Sequence, residues 1–210
     1  MGTADASLQS LLDAIIADDR STVADLLGAS PGLARTHAGT GATRQQARDY
    51  FLESIGHYLY AGDTPLHISA AAYRAALVPV LVEAGAEVQA SNRRGAQALH
   101  YAVDGSPGSP RWDPAAQRAT VTNLVIAGAD PNAVDLGGVT PLHRAVRNRC
   151  ADAVRALLEA GADPKRPNKS GSTPMKLALM TTGRGGSGSA AAKAQQAEII
   201  HLLEANGATG

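Results

Sequence analysis

GVTPLHRAVRNRCADAVRALLEAGADPK, running from Gly138 to Lys165, reads as one complete turn-helix-turn-helix unit, and the rest of the chain aligns to it. Its opening recurs as Asp63-Thr64-Pro65-Leu66-His67, as Gln97-Ala98-Leu99-His100 and as Ser172-Thr173-Pro174-Met175-Lys176. Its Gly-Ala-acid ending recurs at Gly85-Ala86-Glu87, Gly128-Ala129-Asp130 and Gly161-Ala162-Asp163, and fades to Gly207-Ala208. A repeat is the unit of architecture.

Pro65 to Ala98 is 33 residues, Ala98 to Pro141 is 43 and Pro141 to Pro174 is again 33, while the Gly-Ala endings are 43, 33 and 46 apart. A period of 33 therefore carries one insertion of 10 and another of 13. With Thr-Pro-Leu-His and Gly-Ala-Asp on that period, the chain resembles the ankyrin repeat. The resemblance covers Asp63 to the C-terminus and, more loosely, Leu8 to His37. It implies an all-α fold, an ankyrin-repeat solenoid of stacked helix-turn-helix units joined by short hairpin loops.

Composition is compatible with that. The 210 residues are 44% hydrophobic with zero formal charge, so no global charge draws the chain to nucleic acid. Ala and Leu dominate, with one Phe and one Trp, which suits closely stacked helices. The single Cys150 excludes an intramolecular disulfide framework and fits a reducing compartment. MGTADASLQS lacks a basic segment followed by an apolar run, and no apolar stretch approaches the roughly 18 residues of a membrane span. A cytoplasmic protein without membrane contact is expected, and the Ala and Gly content hints at a bacterial origin.

Residues 1–7 are small and polar and read as a flexible N-terminus; 8–210 read as a single repeat domain. Within it, 8–37 forms a capping hairpin of two short helices around Asp18-Asp19-Arg20-Ser21, closed by Ser30-Pro31-Gly32. Residues 38–62 depart from the period: 36–43 is a loop, and Gln45 to Leu59 is read as an extra helix carrying Tyr50, Phe51, Ile55 and Tyr58. Either this helical insertion packs over the first repeat or its aromatics grip a ligand. The repeats then span 63–95, 96–138, 139–171 and 172–210.

In the first repeat Asp63 and Thr64 cap a helix opening with Pro65, where the missing N–H costs nothing. In the second, Gln97-Ala98 replaces Thr-Pro, so a more easily frayed inner helix is expected. Its insertion, 103–115, holds three prolines and Trp112, the only tryptophan, read either as tucked against the adjacent repeat or as a partner anchor. In the fourth, TTGRGGSGS (181–189, within an insertion at 181–192) interrupts the unit, and helix resumes over 190–205. There Lys193, Gln195, Gln196, Glu198 and Glu204 read as the polar coat of a C-terminal cap.

His67, His100 and His143 fall on the repeat period, so they lie one packing layer, about 8–10 Å, apart. Zinc needs each nitrogen about 2.0–2.1 Å from one ion. The family resemblance implies instead that Thr64/His67 and Thr140/His143, with Pro65, Pro141, Thr173 and Pro174 at the helix starts, support the turn and the neighbouring hairpin. His100 lacks the threonine, and Lys176 replaces the histidine. Arginines beside Cys150 would lower its pKa, yet no base or oxyanion site accompanies it. His37, His57 and His201 read as solitary. No phosphate loop, dinucleotide fingerprint, HExxH or CxxC occurs, so no catalytic residue, cofactor or metal is assigned.

Charge is unevenly spread. Residues 1–63 hold eight acids and four bases, whereas 140–185 hold nine bases and three acids. The leading expectation is a non-catalytic module that binds a protein partner, with an acidic segment favoured, through hairpin tips and the concave inner-helix groove. The contact residues are Arg93, Arg94, Asp135, Arg144, Arg147, Lys165, Arg166 and Lys169, with Tyr73, Tyr101 and Trp112 as apolar anchors. Nucleic acid is a weaker reading, for want of a recognised motif. One alternative is an enzyme, or an enzyme-regulating subunit, whose insertions at 38–60 and 103–115 build a small-molecule pocket around Tyr58, Trp112 and a histidine. The other is a structural or homo-oligomeric scaffold, with oligomeric state left open.

Overall fold

The computed structural model describes residues 3–180 and 190–209. The Gly/Ser-rich stretch 181–189 lies outside the described residues. The chain is a stack of helix pairs, and each unit has a short inner helix, a turn and an outer helix. The inner layer is α1 (Thr3–Ala17), α3 (Pro65–Ala71), α5 (Ala98–Ala102), α7 (Pro141–Arg147) and α9 (Pro174–Leu179). The outer layer is α2 (Arg20–Ala29), α4 (Leu77–Glu83), α6 (Pro114–Ile126), α8 (Ala151–Glu159) and α10 (Ala190–Ala205). Neighbours pack in order, α1 on α3, α3 on α5, α5 on α7 and α7 on α9, with α4, α6, α8 and α10 likewise stacked.

The core follows the repeat. Leu66, Leu99 and Leu142 of the inner helices and Leu81, Leu124 and Leu157 of the outer helices are fully buried. Each contributes about 1.5–3 kcal/mol by leaving water. Because every apolar face is closed by the next unit, the ends need caps. Leu11 and Ile15 of α1 bury against the first repeat, and Ile199 and Leu203 of α10 close the last. Asp19 begins α2 by accepting the Thr22 amide at 3.1 Å. Two residues expected in the C-terminal coat turn to the neighbouring helices instead: Gln195 accepts the Ala151 amide at 2.9 Å, and Gln196 donates to the Ala178 carbonyl at 2.7 Å.

Between units the chain forms a hairpin ribbon. Asn92, Asp135 and Asn168 each accept two amides with a side-chain oxygen, from the residues two and four further on, at 2.8–3.1 Å. Successive hairpins are stitched by Leu136 N–H to Arg94 O at 3.0 Å and Lys169 N–H to Gly137 O at 3.1 Å. Gly95 and Gly138 have positive φ (73° and 70°), and a Cβ on either would stand 2.9 Å from the next hairpin's backbone nitrogen. Glycine is required there on both counts.

Two expectations are corrected. Residues 45–59 are not a helix: a single 3₁₀ turn (Arg48–Tyr50) leads into a two-stranded antiparallel hairpin, β1 (Phe51–Leu52) and β2 (His57–Tyr58), in register Phe51 to Tyr58. Gly56, at φ 64°, allows its turn, and Phe51 stacks on Tyr58 with ring centroids 4.8 Å apart. Within 1–7, read above as a flexible N-terminus, α1 already begins at Thr3. The inner helix of the second repeat does end early, at Ala102, and its outer helix starts at Pro114, where Asp113 caps the Ala115 and Ala116 amides at 2.9 Å.

Candidate functional site

The inner helices and hairpins form one side of the stack, and the two insertions are built onto it. Backbone bonds lay 38–42 beside 59–63: Ala38 N–H to Asp63 O at 2.7 Å, Gly62 N–H to Ala38 O and Ala42 N–H to Leu59 O, both at 2.8 Å. This fixes the base of the β1–β2 hairpin, so its tip projects over the second repeat. From the opposite side comes the 103–113 loop. Together they enclose a cavity of about 760 Å³, within the usual range for ligand sites.

Two polar networks hold it. In the first, the buried Asp63 carboxylate accepts the Tyr101 hydroxyl at 2.9 Å, Asn92 Nδ2 at 2.8 Å and the Tyr60 amide at 2.6 Å. In the second, Asp104 Oδ2 accepts from Arg144 Nη1 and meets His57 Nε2, both at 3.3 Å, while its Oδ1 accepts from Asn148 Nδ2 at 2.9 Å. Arg144 also donates to Asp135 at 3.3 Å. Burial pushes the Asp104 carboxyl up, but Arg144 and His57 more than reverse this and hold it at about 2. One carboxylate thus ties the hairpin tip, the loop and the third repeat together.

Further out, the Tyr73 hydroxyl donates to the Asp104 carbonyl, Gln117 reaches Tyr73 at 3.3 Å, and Trp112 Nε1 donates to Gln117 Oε1 at 3.0 Å. Burial raises the Tyr73 and Tyr101 hydroxyls above their ordinary range, so both remain neutral donors. Cys150 is buried beside this cluster and its thiol is pushed up to about 12, chiefly by burial. The expected arginine effect is absent because Arg149 turns to the carbonyls of Ala178 and Met180. Cys150 is a packed turn residue, not an activated thiol.

The repeat histidines act between layers. His67, His100 and His143 each donate Nε2–H to a carbonyl of the following hairpin (Ala96, Val139, Ser172) at 3.0 Å. Each accepts a helix-start amide on Nδ1 (Thr64, Gln97, Thr140) at 3.2 Å. With one nitrogen donating and the other accepting, the rings are neutral, and burial lowers all three below the ordinary imidazole value, His100 to about 4. His100 therefore keeps its half of the network without a threonine. In the fourth repeat Thr173 Oγ1 keeps the other half, accepting the Lys176 amide at 3.2 Å. Among the described residues no group of three or more His, Cys, Asp or Glu could hold a metal ion, and no helix is long and apolar enough to cross a membrane.

The contact residues expected from sequence divide. Arg93, Arg94, Arg147, Lys165, Arg166 and Lys169 are exposed, and Trp112 and Tyr73 are partly buried cavity-wall residues. Three are corrected. Tyr101 is 1% exposed and spends its hydroxyl on Asp63; Arg144 is 8% exposed and spends its charge on two aspartates; Asp135 spends its carboxylate on its own hairpin and on Arg144. None presents its polar group to a partner. His57, expected to be solitary, pairs with Asp104, and these two with Asn148 are the site residues that sequence reasoning missed.

Residues 124–178 match the family model described as ankyrin repeats (many copies). The chain is 39% identical over 97 residues to ankyrin repeat and SOCS box protein 16 of Mus musculus, covering 45% of this chain and 20% of that protein. It is 38% identical over 98 residues to E3 ubiquitin-protein ligase KEG of Arabidopsis thaliana (47% of this chain, 6% of that one) and 34% over 96 residues to B-cell lymphoma 3 protein of Homo sapiens (46% and 20%). The chain spans a fifth or less of each relative. All three come from eukaryotes, which gives the expected bacterial origin no support. With the family match centred on the third repeat, the same hairpin and helix pair to either side of it and the histidine clasp shared with the two repeats before it, the chain is an ankyrin-repeat solenoid.

Proposed function

We propose that this solenoid is a non-catalytic interaction module that holds an acidic segment of a partner protein along its hairpin tips and inner-helix groove, in the cytoplasm. Ankyrin repeats in general serve protein–protein recognition, and an extended rigid face presents side chains from several units at once. The observation that carries the acidic partner is the charge left over once internal pairs are made. Lys165, Arg166, Lys169 and Lys176 are exposed, and none forms an ion pair among the described residues. Such a surface attracts negative chain and speeds its encounter.

The test is fluorescence anisotropy of the full chain with labelled oligoglutamate and oligolysine peptides at low and physiological salt. Oligoglutamate is expected to bind and to weaken with salt, and Lys165→Glu/Arg166→Glu/Lys169→Glu is expected to lose about tenfold or more. Equal binding of both peptides, or an unchanged triple variant, would remove the proposal.

A further inference from the structure

The half-enclosed cavity between the β1–β2 hairpin and the 103–113 loop is bridged at two points. The Arg111 side chain crosses from the loop to lie against Gly56 at the hairpin tip, where a Cβ would stand 3.4 Å from its Nη1. Beneath this strap the His57–Asp104 contact at 3.3 Å closes the same gap. A peptide strand passing through this cavity would have to part both. A molecule of limited size would not, and about 760 Å³ holds one.

The lining specifies its chemistry. Five arginines (Arg74, Arg94, Arg111, Arg144, Arg147) face one carboxylate, Asp104. Arg74 is occupied by the Ile15 and Ile16 carbonyls and Arg144 by Asp104 and Asp135, but Arg94 and Arg111 meet no carboxylate among the described residues. Arg144 Nε–H is moreover buried without an acceptor, although its residue lines the cavity. A surplus of guanidinium in a half-enclosed space favours an anion, for which arginine offers paired donors. The walls add flat apolar surface. Tyr58, Tyr60 and Trp112 line the space, and Arg94 already stacks 4.9 Å from the Tyr60 ring centroid.

We infer that this cavity is a binding site for a small organic anion in which an aromatic ring adjoins a phosphate or carboxylate group. The ring lies among Tyr58, Tyr60 and Trp112, and the anionic group meets Arg94 and Arg111. The site is separate from the basic surface at Lys165, Arg166 and Lys169, and occupancy would tether the two insertions to each other.

Trp112, the only tryptophan, is a built-in reporter. Its fluorescence in the full chain is followed during titration with AMP, phthalate, adenosine and inorganic phosphate. AMP or phthalate is expected to give a saturable change below about 1 mM, with adenosine and phosphate at least about tenfold weaker; which of the two binds tells phosphate from carboxylate. Arg94→Ala/Arg111→Ala is expected to weaken binding about tenfold with an unchanged melting temperature, whereas Lys165→Glu/Arg166→Glu/Lys169→Glu binds the probe as before. No saturable change with AMP or phthalate up to about 10 mM, equal binding by the double arginine variant, or displacement of the probe by oligoglutamate would overturn the inference. The last result would assign the cavity to the protein-binding groove.

Discussion

The second and third repeats are built alike at one end and differently at the other. Asp135 and Asn168 hold their hairpins with the same pair of bonds, and His100 and His143 lean on the following hairpin at the same 3.0 Å. They part where the inner helix ends. In the third repeat α7 continues to Arg147, whereas in the second α5 stops at Ala102 and gives way to the loop that walls the cavity. Register between units is therefore kept by the hairpin and the histidine, and the far end of the inner helix is free to be replaced. The second repeat uses that freedom, and the third supplies Arg144 to anchor the result.

That dependence can be broken most severely at Arg144. Replacing it with Met leaves Asp104 and Asp135 without their cation and is expected to cost about 3–5 kcal/mol in urea unfolding, with Asp104→Asn/Asp135→Asn in the same chain recovering most of it. A cost near zero would mean that the loop stands by itself.

Acid tests the feature the repeats share. His67, His100 and His143 are neutral in the fold, so the unfolded chain binds more protons below about 6.5. Stability should be full above that value and fall with pH, by up to about 1.4 kcal/mol per unit per histidine, until His100 itself titrates at about 4. Asp104, held at about 2, adds a second loss from its ordinary value near 3.9 downward. His100→Gln should flatten the first limb and Asp104→Asn the second, read as denaturation midpoints against pH.

Smaller effects sharpen the contrast at the helix starts. Thr140→Val should cost about 1 kcal/mol, whereas Gln97→Thr, which restores the missing cap, should gain about 0.5–1 kcal/mol in thermal melts. The smallest expected change is Arg111→Ala. An exposed strap residue should leave stability within about 0.5 kcal/mol.

The repeat architecture was legible because its signals are local: a threonine and a proline at a helix start, a glycine beyond its end, and a histidine recurring on the period. The site was less so. In 45–59 the aromatics stand at spacings that fit a helix, but two strands of two residues each are too short for alternation to register, and Gly56 was the residue that marked the turn. Arg144 and Tyr101 looked available because their partners are distant in sequence: Asp104 lies 40 residues before Arg144, and Asp63 lies 38 before Tyr101. No window along the chain contains both members of either pair. That the two insertions flank one cavity was anticipated as an alternative; that a histidine–aspartate–arginine chain bolts them together was not.

The histidine clasps also give the array a direction. Each reaches forward from one inner helix to the next hairpin, at Ala96, Val139 and Ser172, but Lys176 offers no such reach beyond the fourth unit. Pulled by its two ends, the chain should open unit by unit, like a zip. Each 33-residue unit that peels away would release roughly 115 Å of slack. A molecule bridging Gly56 and Arg111 would place a stop partway along that zip, so a ligand for the cavity would be felt as force at the second repeat.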